Sequence, residues 1–309
     1  MQSRPQNILR GVTLIILTVF TISIQDVVFK LFSSALTLWQ IFTLRALMAL
    51  PLFYALARAQ GLQLSSLSAA FQKWALLRSL FMTLTFMAFY AAIPFLSLST
   101  VGAANYSAPI FVTLLAAYSL HEPVGGLGWM AVLVGFVGVV VLLQPGTDAF
   151  SLWAVLPVVG ACFYALAHTI TRSKCQRVPL AAMALSLNLV MLLAGLIMSG
   201  LMFAWQPDTP LTNAYPYLFG SWSSVGLQEW LILGLLAVLT IIISMGMAGA
   251  YQAAPPQIIS TFEYSYLIFV AIWDLLFFNT SPTAATLIGM LLIICAGIMV
   301  LGRTPVNRL

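Results

Sequence analysis

The stretch YSAPIFV at residues 106–112 returns as YSYLIFV at residues 264–270. Five of the seven positions are identical, and both copies lie within apolar runs. The runs that follow also correspond, since GVVVL at 138–142 matches GIMVL at 297–301. The sequence therefore predicts two related halves, residues 1–145 and residues 146–309.

The composition identifies the solvent that surrounds this chain. Of its 309 residues 62% are hydrophobic and only 6% are charged, whereas a soluble domain carries about 25% charged residues. So few charges cannot cover a water-facing surface, which excludes soluble globular, disordered and fibrous proteins. The net charge of +5 comes from basic residues scattered beside apolar runs. This pattern is typical of membrane topology signals, so we expect a lipid bilayer and no nucleic acid as partner.

Apolar runs recur along the whole chain at lengths that suit a bilayer. A membrane-spanning helix needs about 20 apolar residues. The sequence therefore predicts an all-α polytopic membrane protein with ten transmembrane helices. These spans are expected at about 11–31, 36–57, 74–93, 97–119, 127–143, 150–170, 179–203, 228–252, 257–278 and 283–302.

The positive charges orient the predicted spans. With a cytoplasmic N-terminus ten Lys and Arg residues fall inside, only Lys30 falls outside, and Arg45 lies within a span. This bias favours cytoplasmic N- and C-termini. Five spans per half is an odd number, so the halves must cross the membrane in opposite senses. Inverted repeats are typical of secondary transporters with a binding site near the midplane. The aromatic connector at about 205–226 is external and is expected to lie at the lipid interface.

Several motifs also resemble a known family. They are AANYSAPIFV at 103–112 closed by His121-Glu122, the glycines Gly128, Gly135 and Gly138 before Gln144-Pro145, and the trio Asp26, Lys30 and Arg45. In these the chain resembles the drug/metabolite transporter superfamily, and specifically its EamA-type ten-helix permeases. The resemblance implies transport of amino acids, their derivatives or nucleoside-like solutes. The second half departs from the pattern, because Asn279-Thr280 stands where the acidic helix end would recur.

The ninth predicted span carries a deep carboxylate. Glu263 shares one helical arc with Ser260, Tyr264 and Asp274. Ionisable residues in a membrane usually face a bundle interior or a wet cavity. We therefore expect Ser260, Glu263 and Tyr264 to contact a substrate, and Asp274, nearer the outer end, to act as a gate. The alternative is a protonated Glu263 that bonds a neighbouring helix and touches no ligand.

The fourth predicted span repeats this face. Through the repeat, Asn105 corresponds to Glu263 and Tyr106 corresponds to Tyr264. The two helices would therefore present matching polar and aromatic faces, and we expect Asn105 and Tyr106 to contact the substrate. Close helix packing through Gly102 is the alternative interpretation of this face.

A second group of polar residues is predicted to couple or gate. Asp26 and Arg45 approach the outer side of their spans, where they could form a gate or bind an anion. A buried structural ion pair between them is the alternative. His168 takes the place of Asp26 in the other half and could titrate near neutral pH. A packed and silent histidine beside Tyr164 explains it equally well.

These features together predict a secondary transporter that works by alternating access. Glu263 would bind a substrate ammonium or carry a coupling proton, and the solute would resemble an amino acid or S-adenosylmethionine. No nucleophile–base pair or metal-ligand pattern is visible, so we expect no enzyme, metal or cofactor. We expect a multi-pass protein of the bacterial inner membrane, acting as a monomer or homodimer. A membrane-embedded enzyme acting on lipid and a non-transporting receptor subunit are the alternatives.

Overall fold

The computed structural model describes most of the chain. All regular elements in its described part are helical. The described residues are 8–32, 35–59, 67–108, 111, 114–115, 126–144, 151–175, 178–205, 210–253, 259 and 262–301.

We number the helices of eight or more described residues in chain order. They are α1 (Ile8–Phe32), α2 (Leu38–Ala59), α3 (Lys73–Ala92), α4 (Leu98–Asn105), α5 (Gly126–Leu143), α6 (Val155–Lys174), α7 (Leu180–Trp205), α8 (Leu227–Ala253), α9 (Ser265–Phe278) and α10 (Ala284–Leu301). Two short helices, Pro210–Ala214 and Pro216–Phe219, lie in the connector between α7 and α8.

Six of these helices are long and apolar enough to cross a membrane, namely α1, α2, α3, α6, α7 and α8. Large apolar side chains such as Leu133 and Ile268 are more than half exposed on the outside of the bundle, as lipid-facing residues are. The prediction of an all-α, multi-pass membrane protein is confirmed. The number of ten spans and their inverted arrangement stay predictions, and the terminal residues 1–7 and 302–309 lie outside the described residues.

The helices of the two predicted halves pack in a reciprocal way. Helix α3 packs on α6, and α8 packs on α1. In the same way α2 packs on α8 while α7 packs on α3, and α1 contacts α9 while α6 contacts α4. Three further contacts join corresponding helices directly, which are α2 with α7, α4 with α9, and α5 with α10. The contact of α4 with α9 therefore lies between the halves.

Small residues allow these helices to approach closely. A Cβ atom added to Gly138 in α5 would lie 3.1 Å from the carbonyl oxygen of Gly289 in α10. A Cβ on Gly195 in α7 would lie 2.9 Å from the backbone nitrogen of Thr43 in α2. Close backbone contacts of this kind are how membrane helices gain van der Waals packing without a hydrophobic driving force.

The connector 210–226 closes over the end of the bundle instead of lying wholly at the lipid interface. The Trp39 indole donates to the carbonyl oxygen of Leu218 at 2.7 Å, and the buried Tyr217 hydroxyl donates to the carbonyl oxygen of Tyr90 at 3.3 Å. Burial raises the pKa of the Tyr217 phenol, which keeps this group a neutral donor. These bonds fix the connector to α2 and α3.

Candidate functional site

Helical structure is interrupted at Tyr106 and at the corresponding Tyr264. Helix α4 ends just before Tyr106, and α9 begins just after Tyr264. In both copies the following serine donates to the carbonyl three residues before it, at 2.7 Å for Ser107 and 2.6 Å for Ser265. The fourth and ninth predicted spans therefore each contain a break. Irregular backbone at membrane depth is tolerated where it is buried in protein or lines a cavity.

The two breaks meet through their tyrosines. The ring centroids of Tyr106 and Tyr264 lie 5.5 Å apart, with the planes tilted by 42°. Tyr106 lies equally close to Tyr266, at 5.5 Å. Tyr106 also interacts electrostatically with Tyr164 of α6. The structure thus brings together the two predicted substrate tyrosines from opposite halves of the chain.

Glu263 lies beside this tyrosine cluster. Its side chain is only 7% exposed, so it does not face lipid, and it interacts electrostatically with both Tyr106 and Tyr264. Two polar groups of residues adjacent in the chain to Tyr106 and Glu263, the Asn105 Oδ1 atom and the Tyr264 hydroxyl, are buried without a hydrogen-bond partner. Buried polar atoms are normally paired, so such atoms call for an explanation such as a ligand or water. Ser260, also predicted to contact substrate, lies outside the described residues.

Asp26 is held by two tyrosines that the sequence did not single out. The Tyr90 hydroxyl donates to Asp26 Oδ1 at 3.0 Å, and the Tyr266 hydroxyl donates to Asp26 Oδ2 at 2.6 Å. Gln25 Nε2 donates in turn to the Tyr90 oxygen at 2.7 Å. We call Asp26, Gln25, Tyr90 and Tyr266 the Asp26 network. It joins α1 to α3 and α9.

Arg45 lies near this network without a direct bond to Asp26. Its guanidinium carbon lies 5.2 Å from the ring centroid of Phe29 and 5.4 Å from that of Phe42. Arg45 interacts electrostatically with Tyr90 and Asp26, but no nitrogen–oxygen contact of 4.0 Å or less joins Arg45 to Asp26. The ion pair between Asp26 and Arg45, which was the alternative to a gating role, is not formed, and tyrosine hydroxyls bond the carboxylate instead.

Asp274 caps a helix of the other half. It is fully buried, and its two carboxylate oxygens accept hydrogen bonds from the backbone nitrogens of Leu98 at 3.0 Å and Ser99 at 2.7 Å. These are the first amides of α4, which lack partners within the helix. Beside them Lys30 Nζ donates to the carbonyl oxygen of Leu96 at 2.6 Å. Asp274 was predicted as a gate, and this gating role stays a prediction.

His168 packs against Tyr164 on α6. Its ring centroid is 4.1 Å from that of Tyr164, and it interacts electrostatically with Arg78 of α3. In the sequence, Arg78 was interpreted only as a topology signal. The structure instead places Arg78, His168 and Tyr164 together where α3 packs on α6.

Comparison with known proteins now identifies the family. Residues 9–144 match the EamA-like transporter family. This segment belongs to that family. It includes α1 to α5, and with them Asp26, Arg45, Asn105 and Tyr106. The resemblance noted in the sequence is thereby confirmed.

Named relatives of the chain are bacterial transporters. A pseudopaline exporter of Pseudomonas aeruginosa is 26% identical over 297 residues, which cover 95% of this chain and 96% of the exporter. A riboflavin transporter of Vibrio cholerae is 26% identical over 61% of this chain, and the aligned segment spans 57% of that transporter. An S-adenosylmethionine uptake transporter of Rickettsia bellii is 26% identical over 66% of this chain, spanning 63% of that transporter.

The fold is also found in a solved structure. A crystal structure of another protein superposes with a TM-score of 0.59 and 17% sequence identity, covering 94% of this chain and 96% of that one. The family, the relatives and the apolar helices together indicate a multi-pass metabolite transporter of a bacterial inner membrane, rather than an enzyme.

Proposed function

We propose that this protein is a secondary active transporter that moves a small organic metabolite by alternating access. The observation that carries the proposal is the junction of Tyr106 and Tyr264. There two interrupted helices from opposite halves meet beside a buried Glu263. Two buried polar atoms at this junction have no protein partner. Discontinuous helices meeting between structural repeats are where secondary transporters bind substrate.

We propose that the ten predicted spans form two inverted five-helix repeats. The reciprocal helix contacts between the halves support this arrangement. The identical serine bonds at Ser107 and Ser265 support it at the level of single residues. Rocking of the halves about the contact of α4 with α9 would expose the junction first to one face of the membrane and then to the other.

The polar groups of the junction define what it could bind. Glu263 would bind an ammonium group of the substrate or carry a coupling proton, because it is a buried carboxylate next to groups that lack partners. Asn105 would offer an amide for hydrogen bonding, while Tyr106 and Tyr264 would offer aromatic faces. Ser260 completes the proposed set of substrate contacts.

An amino-acid-like or nucleoside-like solute suits this set. Relatives are named for transport of S-adenosylmethionine and riboflavin, and both compounds carry a planar heteroaromatic ring that a tyrosine can stack against. S-adenosylmethionine also carries an ammonium group that Glu263 could bind. We therefore propose solutes that combine an amine with a ring.

Flux measurements on Glu263→Gln test the proposal. Purified protein in proteoliposomes would be assayed with labelled S-adenosylmethionine, aromatic amino acids and nucleosides, with and without a pH gradient. We expect the wild type to move at least one of these solutes and Glu263→Gln to lose about tenfold or more, as for a lost charged contact. Loss of the pH dependence alone would identify Glu263 as the proton carrier.

The matched control is Glu229→Gln, which neutralises a half-buried acid in the first turn of α8. It should transport like the wild type. Survival of both the uptake rate and its pH dependence in Glu263→Gln would remove Glu263 from the mechanism. No flux of any tested solute through the wild type would contradict the transporter itself.

A further inference from the structure

Two lysines from the two predicted halves share one tryptophan ring. Lys73 is the first residue of α3 and Lys174 is the last residue of α6, and these two helices pack on each other. The Nζ atoms of Lys73 and Lys174 lie 5.3 Å and 5.6 Å from the ring centroid of Trp74. The two ammonium groups are therefore no further apart than the sum of these distances.

These lysines have no acidic partner in the part of the protein that the structure describes. Neither ammonium group lies within 4.0 Å of a carboxylate oxygen there, and the Trp74 indole N–H donates to no described residue. Two positive charges beside one ring repel each other, and the cation–π contacts that hold them are weak at exposed sites. An anionic group bound beside the ring would offset this repulsion and accept charge-assisted hydrogen bonds.

The lysine pair lies at the level of the membrane surface. One apolar segment that is long enough to cross the membrane begins at Lys73, and another ends at Thr171, shortly before Lys174. Both lysines are exposed, and the Phe71 ring just before α3 is 65% exposed. Cations and aromatic rings together at the end of a membrane span are typical of the headgroup region of a bilayer.

The tryptophan between the lysines is fixed by the protein. Trp74 packs against a small buried cluster that joins the short helix before α3 to the end of α6 and the start of α7. Its members are Ala70, Cys175, Val178, Ala182 and Met183. The site thus consists of a ring that both predicted halves hold in place, with one long, exposed cation from each half beside it.

We propose that Lys73, Trp74 and Lys174 bind the phosphate headgroup of an anionic phospholipid, which bridges the two predicted halves. Basic pockets between membrane helices on the cytoplasmic side bind such headgroups, and the charge distribution assigns this end of the bundle to the cytoplasm. Leu80 lies two turns along α3 on the same face as Lys73 and is 45% exposed. It offers an apolar surface to the acyl chains, from which a soluble anion would gain nothing.

Lipid binding to the purified protein in an uncharged detergent tests this proposal. Native mass spectrometry would compare phosphatidylglycerol with phosphatidylcholine of the same acyl chains. Because one lysine near a membrane surface strengthens binding of anionic lipid about fivefold, we expect the wild type to prefer phosphatidylglycerol by about 25-fold. Lys73→Gln and Lys174→Gln should each lower the preference about fivefold, and the double variant should bind the two lipids about equally. High salt should weaken the wild-type preference by screening.

Arg58→Gln is the matched control, because it removes the same charge from an exposed position at the end of α2. It should lower the preference by less than about twofold. An equal loss in Arg58→Gln and Lys73→Gln would mean that the total surface charge selects the lipid, and the proposed site would be wrong. A double lysine variant that keeps the wild-type preference would overturn it as well.

Glycerol phosphate separates a lipid site from a site for a soluble anion, because it carries the phosphate without the acyl chains. We expect phosphatidylglycerol to raise the melting temperature of the wild type but not that of the double lysine variant. Glycerol phosphate at the same concentration should raise neither. If it stabilises the wild type as much as phosphatidylglycerol does, the site binds a soluble anion and the lipid proposal is wrong.

Discussion

Two neighbouring polar regions of the bundle differ in how completely their hydrogen bonds are formed. In the Asp26 network both carboxylate oxygens accept a tyrosine hydroxyl, and Gln25 completes the set. At the junction of Tyr106 and Tyr264, the Tyr264 hydroxyl and the Asn105 carbonyl oxygen are buried without partners. A satisfied network makes a structure specific and rigid, whereas an unsatisfied one marks a place that something else must fill.

Tyr266 forms the boundary between these regions. Its hydroxyl belongs to the Asp26 network, while its ring lies 5.5 Å from that of Tyr106 at the junction. The Asp26 network therefore supports one wall of the proposed binding site. If this division is correct, changes in the network should reduce stability, and changes at the junction should reduce transport.

The largest expected effect is that of Asp26→Asn. The amide keeps one acceptor oxygen but turns two donor hydrogens toward a tyrosine hydroxyl and the nearby Arg45. Losing one hydrogen bond to a carboxylate costs about 1.5–3 kcal/mol, and a donor left buried without a partner adds about 1–3 kcal/mol. We expect a loss of that size in the free energy of unfolding, measured by equilibrium unfolding in mixed detergent micelles. If Asp26→Asn were stable but no longer transported solute, Asp26 would belong to the ligand-binding region instead of the structural network.

Gly102→Ala should have the next largest effect. A Cβ atom on Gly102 would lie 2.6 Å from Cε1 of Tyr266. Because that ring is fixed by Asp26 and packs on Tyr106, it cannot move without disturbing one of them. Overpacking of this kind costs about 1–3 kcal/mol. The expected result is a lower melting temperature.

Gly200→Ala is the control for Gly102→Ala. It lies in α7, and its new methyl group would meet no atom within 4 Å. Alanine has the higher helix propensity, so stability should be equal or slightly greater. If Gly102→Ala were as stable as Gly200→Ala, the Tyr266 ring could move without cost, and the two regions would not be separated as proposed.

Asp274→Ala tests a third buried carboxylate. Asp274 accepts two backbone amides of α4, so it belongs with the satisfied groups. Loss of a helix cap costs about 0.5–2 kcal/mol. We expect a reduction of that size in unfolding free energy, with the substrate affinity unchanged. A changed affinity at full stability would instead support the gating role predicted for Asp274.

The sequence predicted the junction better than it predicted the network. The repeat placed Tyr106 opposite Tyr264, and the cost of a charge in lipid placed Glu263 inside the bundle. Both inferences depend on patterns within one helix or on the repeat itself. They required no knowledge of how distant helices pack.

The partners of Asp26 depend on packing between distant helices. Tyr90 and Tyr266 lie 64 and 240 positions from Asp26 in the chain, and an uncharged tyrosine in an apolar run gives no signal of its own. The sequence suggested Arg45 as the partner of Asp26 because it carries the complementary charge. The capping role of Asp274 was missed for a similar reason, because its partners are backbone amides of α4, which any residue type can supply.

The connector between α7 and α8 illustrates the limit for aromatic residues. Its composition predicted an interfacial segment, yet Tyr217 and Leu218 are buried against the bundle. An aromatic side chain with a polar atom suits both a membrane interface and the end of a helical bundle. The bond from Trp39 to the Leu218 carbonyl oxygen and the bond from Tyr217 to the Tyr90 carbonyl oxygen distinguish the two.

The smallest expected effect on stability is that of Tyr264→Phe, and it is the sharpest test of the comparison. The Tyr264 hydroxyl has no protein partner, so its removal should change the free energy of unfolding by less than about 0.5 kcal/mol. Tyr266→Phe removes a bond to a carboxylate and should cost about 1.5–3 kcal/mol. Solute flux should fall more in Tyr264→Phe, because a ligand would bind there. Equal losses of stability in the two variants would contradict the division into a structural network and a ligand-binding junction.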